Sequence, residues 1–256
     1  MADIEFSRSG HVAHVRLNRP KALNAIDGGM NRVLRDAWTE VNTDPDIWVA
    51  VLSAEGEKAF CAGADIHDTH EAHERIAFGG GITGVGGPLL TLRKPLVAAV
   101  HGYVLGAGFE MAMCADVMVA ASNAQFGMPE IKAGIIAECG VMHRAIRQLP
   151  YRIATAMVLT GERLAAKDAL GFGLINEIVP FEELMAAAGR WADKLCAMSP
   201  LAAQAAKSAL LTSADLPLNI ALETRYEPIE AYAFSADSQE GHRAFSEKRK
   251  PEWQGR

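Results

Sequence analysis

The chain has few cysteines, and their spacing matches no common metal site. The 256 residues include Cys61, Cys114, Cys139 and Cys196, and no two of them form a Cys-x-x-Cys pair. Disulfide-rich secreted proteins and structural zinc sites depend on denser or regularly spaced cysteines. We therefore expect reduced thiols in a cytosolic protein core, and no bound metal.

Positive charge and long apolar runs are also scarce. Lys and Arg number 25 against 31 Asp and Glu, which gives a net charge of −6, and no basic block occurs. This balance argues against binding to nucleic acid or to an anionic membrane. No apolar run approaches the ~20 residues of a membrane span, and the first ten residues lack the pattern of a secretory signal. We expect a cytoplasmic protein without nucleic-acid or membrane partners.

Apolar residues, in contrast, make up half of the chain, which is ample for a core. In the first half, apolar runs alternate with amphipathic segments, which favours an α/β fold. The composition becomes helical and alanine-rich further on, and a shift near Ser199-Pro200 predicts an α/β core at 1–198 and a helical region at 199–256. The main predictions are strands at Ile47–Leu52, Pro95–His101, Asp116–Ala121 and Leu174–Val179, and helices at Gly28–Asn42, Phe181–Met198, Leu201–Thr212, Ile220–Ala233 and Ser238–Lys248.

The most informative stretch is His101–Glu130. Its glycine turn, Gly106-Ala107-Gly108, follows an apolar run and precedes a predicted buried helix at Gly108–Cys114. The first N–H groups of a helix lack internal partners and can bind an anion or a developing oxyanion. Glycine and alanine at this point let a ligand approach the backbone. The stretch therefore predicts an oxyanion site.

Two carboxylates, Glu110 and Glu130, accompany this turn. Each has an ordinary explanation, since acidic residues suit the first turn of a helix and Pro-Glu is a common helix start. Together they indicate an acid and a base. Glu110 has apolar neighbours, and burial raises the pKa of a carboxyl group toward the range in which it can act as an acid or a base.

Ala64 and Ala107 form a second pair, each in a glycine-flanked turn after a strand. Two converging N–H groups there could stabilise an enolate oxygen, although tight turns also arise from packing alone. Asp65 is equally well explained as a helix cap. Arg19, Lys21 and Lys248 are candidates for phosphate contacts, because an acidic chain needs local positive charge to hold a polyphosphate; solvated surface charges are the alternative.

In their order and spacing these residues resemble the enoyl-CoA hydratase/isomerase (crotonase) family, over nearly the whole chain. The C-terminal segments look especially like those of carnitinyl-CoA dehydratases. The segments that carry the resemblance are 18–24 (Asn-Arg-Pro-Lys-Ala-Leu-Asn), Phe60–Asp65, His101–Glu110, Phe126–Glu130, Gln148–Pro150, Met157–Gly161, Ala244–Arg249 and Trp253–Arg256.

The resemblance implies a crotonase-like spiral of ββα turns with a C-terminal helical region that builds trimers, often paired into hexamers. It implies an acyl-CoA thioester substrate whose carbonyl lies between the N–H groups of Ala64 and Ala107. No separate cofactor is expected, because coenzyme A is part of the substrate. The substrate-binding residues that it implies are Lys21, Leu23, Ala62, Ala64, Asp65, Ile66 and Gly106, with Lys248 from a neighbouring subunit.

Retention of both glutamates favours a hydratase within the family. Glu110 would take a proton from water, and Glu130 would supply a proton to the α-carbon of a 2-enoyl-CoA; the reverse reaction would dehydrate a 3-hydroxyacyl-CoA. The alternatives are an enoyl-CoA isomerase, or a hydratase-lyase on an aromatic enoyl-CoA. An RNA-binding relative is disfavoured by the missing basic stripe.

The chain departs from the family after Gly134, where many hydratases have Pro-Gly-x-Gly-Gly. Here Glu138 replaces a glycine beside the reactive end of the acyl chain, as an acid does in carnitinyl-CoA dehydratases. Glu138 either faces the acyl tail and favours a cationic or polar one, or points to solvent from an exposed loop. Whether the glycine-rich segment Thr69–Gly87 closes over the substrate is left open.

Overall fold

The computed structural model describes residues 2–65, 90–137 and 140–256. The predictions for Ile66, for Glu138 and for the segment Thr69–Gly87 lie outside the described residues.

Two β-sheets form the centre of the described structure. In the larger sheet the strand order is β1-β2-β3-β5-β7-β10, with β1 and β2 antiparallel and the remaining pairs parallel. The smaller sheet has the order β4-β6-β8-β9, and only β8 and β9 are antiparallel. The strands are β1 (Ile4–Ser9), β2 (Val12–Leu17), β3 (Val49–Ala54), β4 (Ala59–Cys61), β5 (Leu96–Val100), β6 (Tyr103–Leu105), β7 (Val117–Ala121), β8 (Gln125–Gly127), β9 (Arg163–Ala165) and β10 (Glu177–Val179).

The chain winds between the sheets as a spiral. Three times in succession it adds one strand to the larger sheet and the next to the smaller one, as β3 then β4, β5 then β6, and β7 then β8. Since each turn repeats this step, the segments that follow β4, β6 and β8 leave the same sheet next to one another. The predicted α/β spiral of ββα turns is confirmed.

The larger sheet is apolar on both faces because it lies between two layers. Along β3, Ala50 and Leu52 face one buried cluster, whereas Val49 and Val51 face another. The strands β5 and β7 are also buried throughout. Buried parallel strands have continuous apolar sequences, and for this reason the sequence predicted them well.

The helices cover these sheets. α1 begins after Asp27, whose carboxylate caps the helix by accepting a hydrogen bond from Met30 N at 2.8 Å. Its buried face includes Ala37, whereas Val33 is 48% exposed. The helices are α1 (Gly28–Thr43), α2 (Ala107–Ala112), α3 (Val141–Gln148), α4 (Tyr151–Thr160), α5 (Ala166–Gly171), α6 (Leu184–Cys196), α7 (Pro200–Ser213), α8 (Leu218–Glu223), α9 (Glu227–Ala233) and α10 (Ala236–Glu247).

Several predicted boundaries were wrong. The helix predicted at Ile220–Ala233 is two helices, α8 and α9, because Pro228 lies in the first turn of α9, where its lack of an N–H is tolerated. The helix predicted at Phe181–Met198 is a short 3-10 helix followed by α6. The strand predicted at Leu174–Val179 is paired only over β10.

The C-terminal helices dock on the sheet through an ion pair whose lysine is buried. Lys207 of α7 donates from Nζ to Asp116 Oδ2 at 2.6 Å and to the Lys94 carbonyl oxygen at 2.9 Å.

The predicted division of the chain into an α/β core and a helical region at residues 198 and 199 stays a prediction. No helix in the described part of the chain is long and apolar enough to cross a membrane. Cys61, Cys114 and Cys196 are free thiols.

Candidate functional site

The first candidate N–H group belongs to Ala107, the first residue of α2. Gly106 precedes it with φ +49°, a conformation that favours glycine, and turns the chain out of β6. A side chain on Gly108 would collide with Cys61, since a Cβ there would lie 2.5 Å from Cys61 Cβ. The glycines therefore fix α2 closely against β4 and leave the Ala107 N–H at the helix start.

The second candidate N–H group belongs to Ala64, in the turn after β4. A Cβ on Gly63 would lie 3.8 Å from Ala107 N and 3.8 Å from Gly106 Cα, so the two turns touch. Ala64 itself is exposed. In the described residues neither the Ala64 N–H nor the Ala107 N–H donates a hydrogen bond. Two N–H groups without an acceptor in the described residues thus lie in touching turns, which is compatible with an oxyanion site.

Glu110 lies one helical turn after this point, and its N–H donates to the Gly106 carbonyl oxygen at 2.9 Å. The residue is only 3% exposed. Its Oε1 accepts a hydrogen bond from Val141 N at 3.2 Å, which links α2 to the first residue of α3. This contact was not predicted, because nothing local in the sequence pairs residues 31 positions apart.

Glu130 approaches the same turn from the other side. It lies in a 3-10 helix, Pro129–Ala133, directly after β8. Its Oε1 would be 2.6 Å from a Cβ on Gly106, so a side chain at position 106 would displace this carboxyl group. Its Oε2 is buried without a hydrogen-bond partner among the described residues. Burial raises the pKa of the Glu130 carboxyl, partly offset by a hydrogen bond from its own backbone.

Most of the predicted coenzyme A contacts come together beside Ala64. Leu23 accepts a hydrogen bond from Ala62 N at 3.0 Å, and Asp65 N donates to Ile26 at 2.8 Å, so segment 21–26 lies along segment 62–65. Lys21 is exposed at one end of this surface. Lys248 is at the C-terminal end of α10, and no hydrogen bond or ion pair of the described residues joins it to the others.

Arg19, considered as a phosphate contact, is engaged elsewhere. Its Nη1 donates to Asp65 Oδ2 at 2.6 Å and to the Ala25 carbonyl oxygen at 3.1 Å. The pKa of Arg19 is raised by the hydrogen bond to Asp65. The described residues contain no cluster of three or more His, Cys, Asp or Glu side chains that could hold a metal.

Comparison with known proteins gives consistent results. The family described as "Enoyl-CoA hydratase/isomerase" matches residues 7–256. The (E)-benzylidenesuccinyl-CoA hydratase of Thauera aromatica is 36% identical over 250 residues, 96% of this chain and 97% of that protein. The carnitinyl-CoA dehydratase of Salmonella typhi is 38% identical over 263 residues, 99% of this chain and 98% of that protein.

Solved structures agree over the full length. A protein from Novosphingobium aromaticivorans, assigned as a short chain enoyl-CoA hydratase, is 60% identical with a TM-score of 0.91, covering 100% of this chain and 99% of that one. The enoyl-CoA hydratase EchA1 of Mycobacterium marinum is 33% identical with a TM-score of 0.91, covering 99% of each chain.

Proposed function

Because the chain belongs to the enoyl-CoA hydratase/isomerase family, we propose that it adds water to a 2-enoyl-CoA thioester, or removes it from the 3-hydroxyacyl-CoA. The observation that carries this proposal is the approach of two glutamates to one turn, beside N–H groups that have no acceptor in the described part of the chain. The Glu110 N–H donates to the Gly106 carbonyl oxygen, and the Glu130 carboxyl lies against the Cα of Gly106.

The thioester carbonyl oxygen would bind between the N–H groups of Ala64 and Ala107. When water attacks the β-carbon, electrons move toward this oxygen and give it enolate character. Two preorganised donors stabilise that charge more than the neutral carbonyl, and removal of one such donor typically costs about 10²- to 10³-fold in kcat. Coenzyme A would lie along segments 21–26 and 62–65, with Lys21 at its phosphates.

The two carboxyl groups would have separate roles. Glu110 would accept a proton from the attacking water, and Glu130 would deliver a proton to the α-carbon. The raised pKa of Glu130 supports the acid role, because a buried carboxyl keeps its proton to higher pH. Each turnover leaves Glu110 protonated and Glu130 ionised, and proton exchange through solvent restores both.

The reaction is tested with crotonyl-CoA, whose conjugated thioester loses its ultraviolet absorbance on hydration. Glu130→Gln, which keeps the shape but removes the acid, should lower kcat by roughly 10²-fold or more with KM nearly unchanged. Glu182→Gln, at an exposed position, is the matched control. Normal turnover of Glu130→Gln would contradict the acid assignment, and an unchanged absorbance with the native protein would direct attention to isomerase assays.

For the acyl group we propose a small polar or cationic chain such as that of crotonobetainyl-CoA. The similarity to a carnitinyl-CoA dehydratase supports this choice, as does the acid at position 138, whose contacts lie outside the described residues. The similarity to a benzylidenesuccinyl-CoA hydratase favours an aromatic enoyl-CoA as the second candidate. Rates of absorbance loss with crotonyl-, crotonobetainyl- and cinnamoyl-CoA would rank the three, and release of an aldehyde would identify a hydratase-lyase.

We also propose that the chain forms a homotrimer, or a dimer of trimers, through its C-terminal helices. Large apolar side chains are exposed on α7 to α10, and an apolar surface of this kind typically marks an interface. In that assembly Lys248 would reach the coenzyme A of a neighbouring subunit. The most exposed of these side chains are Leu210, Leu211, Leu218, Leu222, Phe234 and Phe245.

A further inference from the structure

The segment that carries Ala64 is fixed by a turn from a distant part of the chain. Ala62 N donates to the Leu23 carbonyl at 3.0 Å, Ile26 N donates to the Gly63 carbonyl at 2.9 Å, and Asp65 N donates to the Ile26 carbonyl at 2.8 Å. Ala64 lies between these bonds, and its own N–H has no acceptor among the residues that the structure describes. The direction of the Ala64 N–H therefore depends on the conformation of the turn at residues 19–27.

That turn has an unusual backbone. Leu23 and Asn24 both have positive φ, at +52° and +54°. Two consecutive non-glycine residues in this region are disfavoured sterically, so other contacts must stabilise them.

Asn24 supplies three of these contacts. It is fully buried, and its Oδ1 accepts a hydrogen bond from Arg19 N at 2.8 Å. Its Nδ2 donates to the carbonyl oxygens of Glu55 and Ala59, at 2.9 Å each. Asn24 thereby closes the turn at residues 19–24 and joins it to the chain that enters β4.

Arg19 connects the turn to the residue after Ala64. Its Nη1 donates to both Asp65 Oδ2 and the Ala25 carbonyl oxygen, and it lies 3.5 Å from Asp27 Oδ2. The side chains of Arg19 and Asp65 are 28% and 12% exposed. A charge-assisted hydrogen bond at this depth holds its geometry more strictly than a surface ion pair does.

We propose that Arg19 and Asn24 are positioning residues for the Ala64 N–H, the first donor to the thioester oxygen; this inference rests on the oxyanion role proposed above. Neither side chain touches the reacting atoms. Arg19 acts through Asp65 on one side of Ala64, and Asn24 acts through the Leu23–Ile26 backbone on the other. Arg19 thus stabilises the segment that carries the oxyanion donor, and its positive charge is already paired with the carboxylates of Asp27 and Asp65.

The test separates positioning from phosphate binding. A conjugated chromophoric thioester, 4-(dimethylamino)cinnamoyl-CoA, absorbs at longer wavelength when its carbonyl is polarised by hydrogen bonds. Its Kd and red shift would be measured for the native protein, Arg19→Met, Arg19→Lys and Asn24→Gly, together with kcat and KM for crotonyl-CoA. Arg16→Met is the matched control, because Arg16 of β2 forms ion pairs with Glu5 and Glu55 and none with Asp65 or Asp27 among the described residues.

For Arg19→Met we expect loss of most of the red shift and a roughly 10- to 100-fold lower kcat, with Kd and KM within about threefold of the native values. Arg19→Lys should recover part of both, and Arg16→Met should change neither. Glycine adopts a positive φ readily, so Asn24→Gly should behave like Arg19→Met if the variant folds. If it does not fold, the comparison of Arg19→Met with Arg19→Lys decides the test.

Two results would overturn the inference. One is a raised Kd and KM in Arg19→Met with the red shift and kcat intact, which is the signature of a phosphate contact. The other is an equal loss in Arg16→Met. A native protein that gives the red shift without hydrating crotonyl-CoA would contradict the proposed reaction alone, whereas a native protein without the red shift would contradict both.

Discussion

At the scale of single residues, Glu130 combines a functional requirement with a cost in stability. Its carboxyl is half-buried, with one oxygen lacking a partner among the described residues, and burial raises its pKa. A raised pKa in the folded state means that the neutral form is favoured there. The stability that this provides is fully present below the pKa of the unfolded chain and is lost as pH rises through the folded pKa.

Glu130→Gln should therefore stabilise the fold at neutral pH and have little effect in acid. The amide has the shape of the protonated acid and carries no charge at any pH. Thermal unfolding of both proteins from about pH 4 to about pH 7 would measure the difference in Tm, which should grow as pH rises. A difference that is independent of pH would mean that the ionisation of Glu130 is not the cause.

The candidate residues were predictable from the sequence to different degrees. The sequence singled out Glu110, Glu130 and the Gly106 turn as candidates, because glycine turns and carboxylates are recognisable from residue type and spacing alone. The hydrogen bond from Val141 to Glu110 and the engagement of Arg19 by Asp65 were not found. Both join positions far apart in the chain, and charge alone made Arg19 resemble a phosphate contact.

At the scale of elements, the approach of α2 to β4 depends on Gly108. A Cβ there would lie 2.6 Å from the Cys61 carbonyl oxygen, so one of the two elements would have to move. Gly108→Ala should lower the free energy of unfolding by about 1–3 kcal/mol, measured by urea denaturation. Gly189→Ala is the matched control, because a Cβ at Gly189 in α6 meets nothing within 4 Å; it should gain about 0.5–1 kcal/mol. Equal effects would argue against the close contact.

The docking of α7 on the larger sheet gives a second prediction at this scale. Lys207, with its side chain 8% exposed, pairs with Asp116, whose side chain is 31% exposed. Lys207→Met would leave the Asp116 carboxylate, just before β7, with the Leu96 N–H as its one hydrogen-bond donor among the described residues, at a cost of about 1–3 kcal/mol. Urea denaturation would measure this, with Lys167→Met at an exposed site of α5 as control. A loss no greater than that of the control would contradict a stabilising role of the Lys207–Asp116 pair.

Elements differed in how well the sequence predicted them. The strands β3, β5 and β7 are buried on both faces and appear as apolar runs, so their existence was predicted within a few residues. The three-residue strands β4, β6 and β8 were not predicted, because a segment that short has no measurable period. Their pairing is set by the spiral, which is a property of the whole chain.

At the scale of the whole molecule, the exposed apolar side chains of the C-terminal helices predict self-association. Leu218→Glu with Leu222→Glu replaces two α8 side chains that are 74% and 77% exposed, so the fold of one subunit should survive. Sedimentation velocity should detect a shift from trimer or hexamer toward monomer, since a buried unpaired charge opposes association. Val33→Glu, on α1, is the control. A native protein that sediments as a monomer would contradict the assembly.

The proposed use of main-chain N–H groups at Ala64 and Ala107 has a consequence for evolution. A codon change at either position replaces the methyl group, but every residue except proline keeps the N–H. The proposed recognition of the thioester is thus largely insulated from point mutation, whereas the chemistry assigned to Glu110 and Glu130 is one nucleotide away from glutamine. Descendants of such a gene can change the reaction in a few steps and retain the class of substrate.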